Sequence, residues 1–178
     1  MQQSPWPMHL ESLHKLHLEE ERASRGVAAA IEHEAPSTDS EVLSAETAVG
    51  VKFHPQHLAF LRHANGWNRF AGNIDLFGTR DFEGSSRFAQ AKEWVSQMDR
   101  RVLGAHATRR KNLLPVGKSS ASTDLLLMNT NGGQAEAAVL WFTNELVEEF
   151  SDFETMFAKV KGYRRQVVEY WLSRAQPN

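Results

Sequence analysis

Three constellations in this sequence carry side chains able to do chemistry. Gly117-Lys118-Ser119 has the residue types of a phosphate-binding loop. Such a loop needs a glycine five residues before its Gly-Lys pair and a helix directly after the serine. Position 112 is Asn, and Ser119-Ser120-Ala121-Ser122-Thr123 reads as a loop leading into a strand, so the motif is incomplete. Histidines form the second group. His14, His17 and Glu21 lie at helical spacing, and His54, His57 and His63 cluster loosely, but neither set has the His-Glu-x-x-His pattern or another metal-ligand spacing. Surface or partly buried imidazoles account for both. The third group is the carboxylates Glu145, Glu148, Glu149, Asp152 and Glu154. Acid/base catalysis needs two of them converging in a cleft. On a strand, Glu148 and Glu149 point to opposite faces, and Asp152 is placed to cap a helix. With no cysteine and no Gly-x-Ser-x-Gly elbow, no catalytic residue, metal or cofactor is expected.

The charge pattern points to recognition instead. The 20 Lys and Arg against 22 Asp and Glu give a net charge of −2, unlike the basic excess of a nucleic-acid binder. That total hides opposing segments. Residues 80–111 hold eight bases and four acids, 136–154 hold six acids and no base, and 159–174 hold five bases and one acid. Opposing patches suit electrostatically steered binding of a macromolecule, or they face one another or water within the fold. Trp67, Arg69 and Phe70 directly follow Asn65-Gly66. Large aromatics beside an Arg in a loop are the composition of an interface hot spot. Equally, Trp67 can fold back to cover the end of the preceding helix.

The elements that must position these residues follow from periodicity. Trp6-Pro7 opens a helix over about 8–33 with a loose stripe of Leu10, Leu13, Leu16, Leu18, Val27 and Ile31, bent or split at Gly26. Ser37-Thr38-Asp39-Ser40 caps a second helix over 40–49, which Gly50 ends. Pro55 starts a third, over 55–64. Short strands are expected at 73–77, 113–116, 124–128, 137–142 and 146–150, with a helix over 87–101 and turns at Asn131-Gly132-Gly133 and Thr143-Asn144-Glu145. A last helix over 153–173 carries Phe153, Met156, Phe157, Val160, Val167 and Trp171. Consecutive strands on short turns pair antiparallel. The expected fold class is α+β: N-terminal helices, an antiparallel sheet of about five short strands and a C-terminal helix packed on it, all one domain over 1–178.

Composition narrows the setting. The 178 residues can bury a real core, to which ten Phe, five Trp and two Tyr contribute bulk. The absence of cysteine excludes a disulfide scaffold, iron–sulfur chemistry and a thiol nucleophile. The longest apolar run, six residues at 137–142, is far below the ~18 of a membrane span. Residues 1–5 do not read as a signal peptide, so a cytoplasmic protein with no membrane partner is expected.

The ordered series of motifs from Ser37 to Trp67 resembles the SUKH superfamily, which includes the fungal Smi/Knr cell-wall assembly regulators. Its pieces here are Ser37-Thr38-Asp39-Ser40-Glu41, Ala45-Glu46, Gly50, Pro55, Phe60-Leu61 and Asn65-Gly66-Trp67. Leu114-Pro115-Val116-Gly117, Asp124-Leu125-Leu126-Leu127 and Asp152-Phe153-Glu154-Thr155-Met156-Phe157 continue it to about residue 160. The family's usual Leu-Pro before the third helix is His54-Pro55 here, and the 8–33 helix and the basic 97–112 segment are elaborations outside it.

The resemblance implies a fold without a catalytic centre. It also implies a role as a bacterial immunity protein that binds a cognate polymorphic or contact-dependent toxin, of nuclease or deaminase type, in the producer's cytoplasm; the alternative is a regulatory adaptor for an endogenous protein. On this reading the partner is a protein rather than a nucleic acid. Glu145, Glu148 and Glu149 would steer it, and Trp67, Phe70 and Arg69 would anchor it.

Overall fold

A computed structural model describes residues 4–105, 108–130 and 138–175. Helices α1 (Trp6–Ala23), α2 (Asp39–Val49) and α3 (Pro55–Leu61) precede strands β1 (Trp67–Ala71) and β2 (Ile74–Leu76). Helices α4 (Thr79–Phe82), α5 (Ser86–Gln97) and α6 (Arg100–Ala105) follow, then a 3-10 turn at Arg110–Asn112. Strands β3 (Leu113–Ser119), β4 (Leu125–Asn129), β5 (Val139–Phe142) and β6 (Leu146–Phe150) lead into helix α7 (Phe153–Ala175). The six strands form one antiparallel meander in the order β1 to β6. Helix α7 packs on α1, α3 and β6, and α5 on β3. The α+β expectation holds, with six strands in place of five. The expected turn at Asn131-Gly132-Gly133 lies outside the described residues.

The sixth strand is β1, where the sequence reading expects a loop. Trp67 and Phe70 are three residues apart, which strict alternation would put on opposite faces. A bulge resets the alternation. Arg69 takes a positive φ of 56°, its N–H donates to Asp75 Oδ1 at 2.7 Å, and the pairing with β2 is irregular between Trp67 and Ala71. Both aromatics therefore face inward.

Helix α1 ends ten residues earlier than its apolar spacing predicts. Arg25 (φ 56°) and Gly26 (φ 83°) reverse the chain after Ser24, and Val27, expected in the stripe, is exposed. The segment that follows runs past the end of β1: Glu34 N–H donates to Gly66 O at 3.0 Å, Ser37 N–H to Leu61 O at 2.9 Å and Trp67 Nε1–H to Ile31 O at 2.7 Å. Helix α2 forms as expected, with a capping box in which Thr38 accepts from the Glu41 N–H while the Glu41 carboxylate accepts from the Thr38 N–H, and with Gly50 left-handed at its end.

One core joins all these elements. Trp6 meets Phe157 edge-on at 5.3 Å and packs with Phe60 and Phe153. Phe53, Phe77, Phe82 and Phe88 form a second aromatic group around α4 and α5. Such pairs contribute ~0.5–1.5 kcal/mol each beyond their buried area.

Candidate partner-binding surface

The acidic segment folds as the β5–β6 hairpin and the start of α7, and its carboxylates divide by job. Asp152 caps α7, accepting from the Thr155 N–H at 2.7 Å. Burial works to raise its pKa, but the hydrogen bonds from Thr155 and Ser151 prevail and hold it below the usual carboxylate value. Glu154 pairs with His9 of α1 at 3.2 Å. Glu148 accepts from the Tyr163 hydroxyl and lies 4.0 Å from Lys159. The Tyr163 pKa rises, first because of that hydrogen bond. Glu148 therefore ties β6 to α7. Glu145, at the hairpin turn, and Glu149, on the opposite side of β6 from Glu148, are exposed. Between them Val147 is 50% exposed. Glu136, the sixth acid of the segment, lies outside the described residues.

Strand β6 is the last of the sheet and, among the described residues, pairs with β5 alone. At the other edge, Ile31 and Glu34 lie beside the start of β1. The hairpin is thus an acidic edge of the sheet, and a strand edge of this kind can accept a further strand from a partner.

The aromatic residues expected beside it lie elsewhere. Trp67 and Phe70 are 0% exposed and pack on each other and on Phe157, so neither offers surface to a partner; of the two readings of Trp67, the packed one is observed. Arg69 is half-buried on β1; the Arg164 pKa is lowered first by burial and further by the nearby Arg69 charge, against the pull of Glu20. Arg69 lies on β1 and the glutamates on or beside β6, at opposite ends of the strand order.

The other constellations resolve into structure. Gly117-Lys118-Ser119 is strand β3 rather than a loop. Lys118 Nζ sits 4.4 Å over the Trp94 ring, and a Cβ at Gly117 would come within 2.8 Å of Asp75 O. Among the described residues, no three His, Asp or Glu side chains group to hold a metal. His17 faces Phe70 O at 3.3 Å, and its pKa drops to about 4 through burial and then the nearby Arg164 charge. His57 lies among Phe53, Phe60, Phe82 and Phe153, and neither ring nitrogen has a hydrogen-bond partner. Burial, and then His54, bring its pKa to about 3.

One charged cluster has no counterpart in the sequence reading. Arg87 bridges Asp81, Asn68 and Asp75, joining α5, α4, β1 and β2. Its pKa rises, first through the Asp81 hydrogen bonds. The only signal in the sequence is the i, i+6 spacing of Asp81 and Arg87 across a turn, which is too common to single out. With its polar groups satisfied by one another, the cluster is a brace and not a reaction centre.

No helix among the described residues is long and apolar enough to cross a membrane. The family model for the SMI1 / KNR4 family (SUKH-1) matches residues 36–159. No curated protein matches the chain. The matched span begins just before the cap of α2 and ends inside α7, so α1 and the α7 residues beyond 159 lie outside it. Those two outlying pieces meet each other: Arg164 of α7 forms an ion pair with Glu20 of α1.

Proposed function

The chain belongs to the SMI1 / KNR4 family (SUKH-1), and from that premise we propose that it is a non-catalytic protein-binding module of the cytoplasm, an immunity protein that neutralises a cognate toxin by binding and occluding it. The observation that carries this reading is the acidic edge of the sheet, where Glu145 and Glu149 are exposed around Val147 on a strand that, among the described residues, is paired on one side. An acidic edge of this kind complements the basic groove of a nuclease or a nucleic-acid deaminase and accelerates encounter with it. The sharing of a single core by α1, the sheet and α7 supports one domain over 1–178.

Co-expression with toxins encoded beside its gene tests the reading. Rescue of growth together with co-purification of the toxin is the expected result. Failure to bind any neighbouring toxin, with stable capture of an endogenous protein in its place, overturns it in favour of a regulatory adaptor.

A further inference from the structure

The basic segment around residues 97–112 has no part in the acidic edge, yet it builds a cavity of its own. Helix α6 and the chain from Thr108 to Lys111 border a half-open cavity of about 450 Å³ lined by Arg100, Leu103, Gly104, Thr108, Arg109, Arg110 and Lys111, within the size range of small-molecule sites. Four of these residues are cationic and none is acidic. The nearest carboxylate in sequence, Asp99, is engaged by the Arg101 N–H at 2.8 Å and does not line the space.

The walls are pinned. The Arg110 guanidinium donates to Met98 O through Nε at 2.9 Å and again through a terminal nitrogen. Thr108 N–H donates to Leu103 O at 3.1 Å, and Thr130 N–H to Asn112 O at 2.7 Å, which ties the far wall to the end of β4. Arg100, Arg109 and Lys111, by contrast, form no ion pair with the described residues.

We propose that this cavity binds a phosphate group, held by Arg100, Arg109 and Lys111, and that its volume accommodates a small organic phosphate. Several cations around a concave site suit a compact dianion. The wall at Leu103 and Gly104 carries no charge and leaves room for the organic part. Gly104 is part of the lining, and a Cβ there would meet no atom within 4 Å, so this wall has room for a larger side chain.

Isothermal titration calorimetry of the full chain tests this with three probes: adenosine monophosphate, inorganic phosphate and adenosine. The nucleotide is expected to bind and adenosine not to. Inorganic phosphate binding as tightly as the nucleotide identifies the free ion as the ligand; weaker binding identifies an organic phosphate. Arg109→Gln and Lys111→Gln should each weaken binding about tenfold, as expected for loss of one charge-assisted contact. Gly104→Leu should abolish binding while the thermal unfolding midpoint stays put. The proposal is overturned if neither phosphate probe gives heat at millimolar concentration. Equal binding by wild type and folded Gly104→Leu, or binding of single-stranded DNA through these residues without binding of the nucleotide, also overturns it. None of these readouts depends on the toxin, so this site and the acidic edge stand or fall separately.

Discussion

Arg87 holds Asp81 in a two-pronged grip, Nε to Oδ1 at 2.5 Å and a terminal nitrogen to Oδ2 at 2.6 Å. The Asp81 side chain is 8% exposed and that of Arg87 35%. Asp81 also accepts from the Gly78 N–H at 3.0 Å, so one carboxylate serves both the start of α4 and its link to α5. Removing the arginine leaves a buried carboxylate without its counter-charge, which costs more than the ion pair contributes when intact. Arg87→Ala is expected to lower stability by about 2–4 kcal/mol in urea unfolding, with the partial exposure of Arg87 placing it toward the lower end. The double variant Arg87→Ala, Asp81→Asn should recover part of that loss. A double variant no more stable than Arg87→Ala would show that the buried charge is not what destabilises the single one.

His57 makes the fold sensitive to acid. Its imidazole is neutral in the folded protein, with a pKa of about 3, whereas in the unfolded chain it titrates near 6.5. The unfolded state therefore takes up a proton as pH falls below about 6.5 and the folded state does not. The resulting stability is complete above that value and is lost progressively as pH falls toward 3. His17, at about 4, adds in the same direction. His57→Phe, which keeps a ring among Phe53, Phe60, Phe82 and Phe153, should flatten the dependence of the thermal midpoint on pH between 6.5 and 4. An unchanged slope would assign the acid sensitivity to other groups.

Gly78 is fixed by proximity rather than by backbone angle. A Cβ at this position would lie 2.1 Å from Asn65 O, because Asn65 clasps α4 from both sides of its amide: Oδ1 accepts from the Thr79 N–H at 2.7 Å and Nδ2–H donates to Thr79 Oγ1 at 2.9 Å. The obstacle is backbone and cannot rotate away. Gly78→Ala is expected to destabilise by ~3 kcal/mol or more, in the range of overpacked cores. Gly72→Ala, where a Cβ meets nothing but φ is +63°, should cost only about 1 kcal/mol. Denaturation midpoints in that order check the distinction.

What could be read from the chain in advance follows the range of the interactions involved. Helix α2 was legible because its signals are local: Thr38 and Glu41 act within its first turn, and Gly50 closes its last. The end of α7 toward the sheet was legible for the same reason, through Asp152. Strand β1 was not, since its two inward aromatics share a face only through a bulge held by Asp75 from the next strand. For α1 the break at Gly26 was legible, but not that the helix ends there, because the apolar spacing of Val27 and Ile31 continues past the reversal at Arg25 and Gly26. For the candidate surface, the sequence located the acidic segment but could not tell Glu148, bound to Tyr163 fifteen residues away, from Glu145 and Glu149, which face outward. Trp67 and Phe70 had the composition of an interface, and that composition does not distinguish an interface from a core.

The acidic edge leads to a kinetic prediction. Glu145 and Glu149 are exposed, whereas Glu148, Asp152 and Glu154 hold the fold together. Reversal of the outward pair, Glu145→Lys with Glu149→Lys, should leave the thermal midpoint within a few degrees of wild type and slow association with a basic toxin partner about tenfold or more at low salt, because steering acts on the encounter rate. The rate of the variant should rise or stay level as salt is added, where that of the wild type falls. Glu148→Gln is the internal contrast: it removes one charge at the tie between β6 and α7, so it should lower stability while changing the association rate less than the double reversal does. Stopped-flow association at two ionic strengths reads both effects. An association rate in the double variant equal to that of wild type at low salt would remove the acidic edge from the encounter.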